Sequence, residues 1–142
     1  MPSAPAPERP PRGPLVLVVE DEFLIAMELE LLLGRHGYRV LGPAATVAEA
    51  LRLLAAEVPD AALLDVNLRG EMVTPVAGAL RALGVPFVLA SAYGRSDLVA
   101  AGLAGAPNVG KPASDSRLLA ALAQVIEYRS GVLGFSSHHR PV

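Results

Sequence analysis

The sequence predicts an α/β fold in which five parallel strands form one sheet with helices packed on both faces. Strand-like apolar runs alternate with helix-like segments five times along the chain, and this alternation requires right-handed crossovers onto a parallel sheet. The first run, Leu15–Val19, is wholly apolar and rich in valine, which is typical of a strand buried on both faces. The chain has 142 residues, of which 52% are hydrophobic, and this is enough for the core of one domain without disulfides.

Caps, glycines and prolines divide the rest of the chain into elements. The further predicted strands are 38–41, 61–64, 87–90 and 107–109. The predicted helices are 22–35, 46–57, 75–84, 96–103 and 115–129. Thr46 and Glu49 have the spacing of a capping box at the start of the second helix. Glycines at 94, 102 and 105 weaken the fourth helix, which we expect to be short or mobile.

Composition limits the classes of function. We expect residues 1–14 to be a disordered proline-rich arm, residues 15–129 to be the folded domain and residues 130–142 to be a C-terminal tail. The net charge is −2 and no basic stripe is present, so a nucleic-acid partner is not expected. No apolar run has the length of a membrane span, and no signal peptide is expected. The absence of cysteine excludes thiol chemistry and is consistent with a reducing cytoplasm.

Polar residues stand at the ends of four predicted strands. Glu20 and Asp21 follow the first strand and Asp65 follows the third. Ser91 follows the fourth strand and Lys111 the fifth. Five strand–helix units suit a flavodoxin-like, doubly wound sheet of order 2-1-3-4-5, in which ligands bind outside the carboxyl ends of the strands. We therefore expect these side chains to share one crevice.

These residue types together indicate phosphoryl transfer to a carboxylate. Carboxylates crowded in one crevice repel each other, and Mg²⁺, which prefers oxygen ligands, would remove the conflict. Asp65 can then act as a nucleophile that forms an acyl phosphate. Lys111, the only lysine of the chain, and the Ser91 hydroxyl would stabilise the charge on the phosphoryl oxygens.

Each of these residues alone also has an ordinary structural interpretation. An acidic pair after a strand is commonly a helix N-cap, and a lone Asp at a strand end is commonly a turn residue. A single Ser or a Lys-Pro pair is often only part of a loop. Four strand ends, each with the residue type that the chemistry requires, favour the joint interpretation.

The chain resembles a response-regulator receiver domain over residues 15–127. The resemblance rests on residues 18–22 (VVEDE), 63–68 (LLDVNL), 89–92 (LASA) and 111–112 (KP). It implies that Mg²⁺ is held by Glu20, Asp21, Asp65 and the backbone carbonyl of Asn67. It also implies that Asp65 accepts the phosphoryl group and that Ser91 and Lys111 bind it. The peptide before Pro112 is expected to be cis.

A narrower resemblance concerns residues 86–94 (PFVLASAYG), which are similar to the Phe-Ala-Thr-Gly-Tyr motif of an alphaproteobacterial group of single-domain receivers. The loop 65–71 (DVNLRGE) fits that group better than the usual receiver loop. Ordinary receivers have an aromatic switch residue three positions before the lysine, whereas this chain has Asn108. Tyr93 and Ala92 are therefore candidate switch or gating positions. The alternative for Tyr93 is a half-buried ring packed at the edge of the sheet.

The resulting hypothesis is a stand-alone cytoplasmic receiver, not a turnover enzyme, that takes a phosphoryl group from a histidine kinase. Kinases of the HWE/HisKA2 type are among the candidate donors. Output would come from binding a downstream protein, from transfer to a histidine phosphotransfer protein, or from acting as a phosphate sink. The alternatives are a pseudo-receiver that binds protein without phosphorylation, and a phosphatase with an Asp nucleophile. The phosphatase would need a second Asp where Asn67 stands.

The first helix is unusually apolar, with Phe23 and Leu24 near its start. Such a helix could dock on the helical bundle of a kinase, but core packing is the preferred interpretation. In this interpretation the apolar face of the helix packs in the core and two glutamates, Glu28 and Glu30, point outward. That face consists of one stripe, Leu24, Met27 and Leu31, with Ile25, Leu29 and Leu32 beside it.

Overall fold

The computed structural model describes residues 13–138, with side chains described for residues 13–127. In this part of the chain the strands are β1 (Leu15–Val19), β2 (Arg39–Ala44), β3 (Ala61–Leu64), β4 (Asn67–Leu68), β5 (Glu71–Met72) and β6 (Phe87–Leu89). The helices are α1 (Phe23–Arg35), α2 (Val47–Ala56), α3 (Thr74–Ala82), α4 (Arg95–Ala100) and α5 (Asp115–His138). The predicted order of elements is therefore confirmed, with a small hairpin added between β3 and α3.

The main sheet has four parallel strands in the order β2-β1-β3-β6. The predicted α/β class and its strand order are confirmed, but the fifth predicted strand is reduced, within the described residues, to one bridge between Leu89 and Asn108. Two features end the pairing there. Gly110 turns the main chain with a φ of +89°, and the side chain of Asn108 takes the hydrogen bonds that a further residue of the strand would make.

Alternate residues of the central strands supply two cores on opposite faces of the sheet. In β1, Leu17 and Val19 pack with residues of α2 and α3, whereas Val16 and Val18 pack with residues of α1 and α5. This separation follows from the two-residue period of a strand. Because both faces are covered, the sheet is a rigid base for the loops at the carboxyl ends of its strands.

Two predicted boundaries move. The strand β2 continues to Ala44 through a cis Gly42–Pro43 peptide, and a proline is tolerated because β2 is an edge strand. The helix α5 runs on to His138, past the predicted end near residue 129, because no proline interrupts the chain between Pro112 and Pro141. Residues 1–12 and 139–142 lie outside the described residues, so the proline-rich arm and the last part of the tail stay predictions.

Local chemistry agrees with the predicted start of α2 and with the predicted shortness of α4. The Glu49 N–H donates to the Thr46 hydroxyl oxygen at 3.1 Å, and a Glu49 carboxylate oxygen accepts from the Ala45 N–H at 3.1 Å. The predicted cap at the start of α2 is thus present. The helix α4 has six residues and is short, as expected. In the described part of the chain, none of the helices combines the length and apolar character needed to cross a bilayer.

The interpretation of the α1 stripe as core is wrong. Phe23 is 74% exposed and Leu24 is 67% exposed, and Met27 and Leu31 are also exposed. The buried residues of α1 are Ala26, Leu32 and Leu33, and Leu29 packs against the same core. The helix therefore meets the sheet with the neighbouring part of the predicted apolar face, not with the stripe that contains Leu24. We call Phe23, Leu24, Met27 and Leu31 the α1 apolar face.

Two leucines at the end of α3 provide a matched test of this packing. Leu80 is fully buried, whereas Leu83 is 40% exposed. We expect Leu80→Ala to lower the free energy of unfolding by about 2–5 kcal/mol because it leaves a cavity in the core. Leu83→Ala should lower it by less than about 1 kcal/mol. Urea denaturation followed by circular dichroism measures both, and equal losses would contradict the assigned core.

Candidate functional site

The carboxyl edge of the sheet holds the first acidic residues of the site on ordered backbone. The Glu20 N–H donates to the Ala44 carbonyl at 2.9 Å, which continues the pairing of β1 with β2. The Asp65 N–H donates to the Val19 carbonyl at 2.9 Å, which continues the pairing of β3 with β1. Because both residues extend the ladder, their side chains are presented at fixed positions beside each other.

Glu20, Asp21 and Asp65 form one acidic cluster. Each offers a carboxylate oxygen, and these oxygens all lie within 4.8 Å of one another. Glu20 is 4% exposed and Asp65 is 7% exposed, so little water is available to weaken their repulsion. Three converging carboxylates that are partly shielded from solvent are a donor set that a hard divalent cation such as Mg²⁺ prefers. The residues present therefore fit such an ion.

Lys111 supplies a partly buried countercharge. Its Nζ donates to Asp65 Oδ2 at 2.9 Å and to the Glu20 carboxylate oxygens at 3.3 and 3.4 Å. Burial alone would lower the pKa of Lys111, but the hydrogen bond and charge of Asp65, helped by Glu20, raise it above its ordinary value. The lysine is therefore charged at neutral pH and sits directly on the carboxylate expected to be the acceptor.

The burial and crowding of the site change the pKa of Glu20. Burial raises the pKa of its carboxyl above the ordinary value, and the N–H of Glu22, which donates at 3.1 Å, offsets part of the increase. The charge of Asp65 raises the pKa further, whereas Lys111 lowers it. Glu20 thus carries an unfavourable charge that an added cation would stabilise.

Arg69 contacts the third carboxylate. Its Nε donates to Asp21 Oδ2 at 3.1 Å, although 77% of the arginine side chain is exposed. Arg69 occupies the turn of the β4–β5 hairpin with a φ of +56°, and Gly70 follows with a φ of +94°. Left-handed geometry at both positions of a two-residue hairpin favours Asn-Gly, so an arginine there is strained. The contact to Asp21 is a reason for an arginine at this position.

A chain of hydrogen bonds joins the hairpin to the loop after β6. The Tyr93 N–H donates to Ser91 Oγ at 2.9 Å, and Asn67 Nδ2 donates to Tyr93 Oη at 2.9 Å. The Gly70 N–H donates to Asn67 Oδ1 at 2.6 Å. The Tyr93 ring is half-buried against the core, as one of its two interpretations expected. Its hydroxyl also ties the two loops together, so the ring is more than packing.

The structure brings most of the predicted site residues together. Glu20, Asp21, Asp65 and Lys111 form one charged cluster. Ser91, Tyr93 and Asn67 are linked by the hydrogen bonds described above, Ala92 is exposed, and the Lys111–Pro112 peptide is cis. The roles of these residues in binding metal and phosphoryl groups stay predictions.

Two residues of the site were missed by sequence reasoning. Arg69 was treated only as part of a polar loop. The sequence signal for a hairpin turn at this position is weak, because it consists only of the glycine that follows Arg69 and of one polar-apolar pair on each side. Asn108 was noted only for not being aromatic, yet its side chain makes three hydrogen bonds, two of them to the backbone of Ser91. Both contacts depend on side-chain directions that sequence spacing does not give.

The comparisons with known proteins agree with this geometry. The family model described as the response regulator receiver domain matches residues 16–123. The transcriptional regulatory protein PdtaR of Mycobacterium tuberculosis is 34% identical over 85 residues, which is 59% of this chain and 42% of PdtaR. The phyllosphere-induced regulator PhyR of Methylorubrum extorquens is 28% identical over 127 residues, which is 87% of this chain and 48% of PhyR. The chain spans about half the length of the curated relatives it matches.

Solved structures show the same similarity. The response regulator PhyR from Brucella abortus superposes with a TM-score of 0.76 at 27% identity, covering 89% of this chain and 53% of that one. The receiver domain of Erythrobacter litoralis PhyR superposes with a TM-score of 0.73 at 30% identity, covering 81% of this chain and 91% of that one. The family model matches most of the folded part of the chain, and the parallel sheet carries an acidic cluster and one lysine at its carboxyl edge. The chain therefore belongs to the response regulator receiver domain family.

Proposed function

We propose that this chain is a phosphoryl-accepting receiver that works in the cytoplasm, in which Asp65 takes the phosphoryl group of a phosphohistidine on a partner kinase. The observation that carries the proposal is the contact of Lys111 Nζ with Asp65 Oδ2 at 2.9 Å inside a cluster of three carboxylates. An oxygen nucleophile, a fixed cation and further acidic ligands are what phosphoryl transfer requires. That the receiver has no output domain stays a prediction.

The transfer step uses these groups in a balanced way. A carboxylate oxygen of Asp65 attacks phosphorus, and the new O–P bond forms as the P–N bond of the phosphohistidine breaks. The electron pair of the broken bond stays on the imidazole nitrogen, which takes a proton from solvent. Lys111 and the Ser91 hydroxyl are the donors for the charge on the transferred oxygens. Ser91 is suited to this because its oxygen accepts from Tyr93 while its proton can still be donated.

Glu20, Asp21 and Asp65 would hold Mg²⁺, with the Asn67 carbonyl as the further ligand that the family resemblance implies. When bound, this ion supplies positive charge that offsets the three carboxylates and the transferred phosphoryl oxygens. Arg69 already provides part of that charge to Asp21. It therefore competes with a cation for the same carboxylate.

The α1 apolar face is the surface that we assign to the kinase. A groove of ≈ 410 Å³, lined in part by Glu20, Asp21, Phe23, Met27 and Pro43, connects this face with the acidic cluster. A helical partner that buries exposed apolar side chains here would bring its phosphohistidine close to the acidic edge. The HWE/HisKA2 kinases are the class that the narrower sequence resemblance supports. Output through a phosphotransfer protein, a downstream target or a phosphate sink belongs to the same proposal.

The proposed acceptor is tested by intact-mass spectrometry after incubation with phosphoramidate. We expect the wild-type chain to gain one phosphoryl group with Mg²⁺ and far less without it. Asp65→Asn should abolish the gain because the amide is not a nucleophile. Asp97→Asn, which changes an Asp in the first turn of α4, is the matched control and should label normally. A wild-type chain that never gains the group, from phosphoramidate or from a kinase, would favour the pseudo-receiver.

The competition between Arg69 and the cation is tested by Mg²⁺ titration. Arg69→Asn removes the charge while keeping a residue that tolerates left-handed geometry. We expect it to tighten Mg²⁺ binding by about two- to fivefold, the size of an exposed ion pair. Amide chemical shifts of the Glu20–Asp21 region in NMR spectra measure the affinity. Arg52→Gln is the control, since Arg52 lies in the second half of α2, which runs away from the carboxyl edge. Unchanged or weaker affinity in Arg69→Asn would refute the competition.

Docking on the α1 apolar face is tested by a charge placed in it. Leu24→Arg should slow transfer from the first histidine kinase found to label the wild type by about tenfold, because one buried apolar contact is replaced by a desolvated charge. Labelling by phosphoramidate, which needs no docking, should change far less. Val58→Arg is the control. Val58 is exposed and lies between α2 and the start of β3, at the edge of the sheet opposite the acidic cluster. Equal slowing from both donors would argue against docking at this face.

A further inference from the structure

The side chain of Asn108 lies where the pairing between β6 and the segment after α4 stops. The Leu89 N–H donates to the Pro107 carbonyl at 2.8 Å, and the Val109 N–H donates to the Leu89 carbonyl at 2.9 Å. These two bonds form the single bridge described above. In a regular parallel ladder the next pairing would involve the backbone of Ser91 and a further residue of the neighbouring strand.

The carboxamide of Asn108 makes that pairing instead. Its Oδ1 accepts from the Ser91 N–H at 3.0 Å, and its Nδ2 donates to the Ser91 carbonyl at 3.1 Å. A carboxamide offers the same donor and acceptor as a peptide group, so it can replace a strand for one residue. Both main-chain groups of Ser91, a residue only 3% exposed, are thereby held by one side chain.

Because the Asn108 side chain replaces the strand, the main chain that leads to Lys111 is free to leave the sheet. The same Asn108 Oδ1 accepts from the Gly110 N–H at 3.1 Å, and Gly110 adopts a φ of +89° that turns the chain out of the sheet. Lys111 then reaches Asp65 at 2.9 Å. If the main chain continued as a strand, its N–H and carbonyl groups at this point would pair with β6, and the chain could not turn toward Asp65.

The hydroxyl of Ser91 is oriented as a result. Its backbone is held by Asn108, and its Oγ accepts from the Tyr93 N–H at 2.9 Å. The hydroxyl therefore has its position set by the first contact and its rotamer set by the second. Unlike the aromatic ring of ordinary receivers, the Asn108 carboxamide is fixed by three hydrogen bonds and does not act as a rotating side chain.

We propose that Asn108 is a positioning residue for phosphoryl transfer, which holds the Ser91 backbone so that the hydroxyl meets the phosphoryl group on Asp65. This rests on the proposed function. It differs from the family resemblance, which assigns roles to the hydroxyl residue and the lysine and expects an aromatic switch where Asn108 stands.

The test is a double-mutant cycle on the rate of labelling by phosphoramidate with Mg²⁺, measured by intact mass. The four proteins are the wild type, Asn108→Ala, Ser91→Ala and the double variant. We expect Asn108→Ala to slow labelling at least about fivefold when Ser91 is present, because a misplaced donor stabilises the transition state poorly. In the Ser91→Ala background the same change should slow labelling less than about twofold, since there is no hydroxyl to position. Lys111 remains held there by its own contacts with Glu20 and Asp65.

Two outcomes of the cycle would overturn the proposal. The first is equal slowing by Asn108→Ala in both backgrounds, which is the behaviour of a residue that only supports the fold. The second is no slowing when Ser91 is present. Asn108→Gln is the conservative variant: it keeps the carboxamide donor and acceptor on a side chain that is one methylene longer and adds no charge, so its rate should lie between those of the wild type and Asn108→Ala.

Amide hydrogen exchange of the unphosphorylated protein reads the contact directly. Asn108→Ala should speed exchange at the Ser91 N–H at least about tenfold while the amides of β1 and β3 keep their protection. Unchanged exchange at Ser91 would overturn the proposal even if labelling slowed. Global loss of protection would show unfolding, and Asn108→Gln, compared by the same exchange and labelling measurements, then decides the outcome.

The labelling experiments give different results if this inference fails and if the proposed function fails. A wild-type chain that gains no phosphoryl group from any donor refutes the proposed function, and with it the role of Asn108 in transfer. A wild type that labels on Asp65, with Asn108→Ala equally slow in both backgrounds, refutes only the positioning role. The labelling of the wild type therefore separates the two cases.

Discussion

The site depends on the balance between three carboxylates and the cations that face them. Glu20 and Asp65 are buried at the carboxyl edge of the sheet, and a buried charge is unfavourable unless it is paired. Lys111 pairs with both of them from within the fold. Asp21 lies nearer the solvent and is paired by the exposed Arg69. The acidic cluster is thus held together within the folded chain, and its carboxylate oxygens lie close enough to one another that they could hold a metal ion.

The sheet makes this balance possible because it fixes the backbone positions of the charged residues. Glu20 and Asp65 each continue a ladder hydrogen bond beyond the end of their strands, so their backbones cannot move apart under electrostatic repulsion. The strands β1 and β3 are adjacent and parallel, with apolar residues packed on both faces. The buried cores therefore hold in place a group of like charges that would separate in a flexible chain.

Local rules are broken at two places, and both lie at the site. Arg69 adopts a left-handed conformation that favours Asn or Gly, and Asn108 uses its side chain where a strand would use its backbone. Elsewhere the cap of α2 and the two-residue periodicity of the strands agree with the fold. Departures of this kind are expected where geometry serves a site rather than stability. The exposed α1 apolar face is a departure of another kind, not in the backbone, since it leaves large apolar side chains in contact with water.

The sequence by itself determined the order of elements, the parallel sheet and the residues at its strand ends. Apolar runs, caps and breakers are local signals, and the rule that parallel strands end at one edge converts them into a shared site. The tertiary structure alone decided that the fifth strand shortens to a bridge, that the α1 stripe faces solvent, and that Arg69 reaches Asp21, 48 residues away. These outcomes depend on which groups compete for the same hydrogen bonds, on which side of a helix the sheet covers, and on the direction of long side chains. Such choices are made between residues distant in the chain, so no local pattern encodes them.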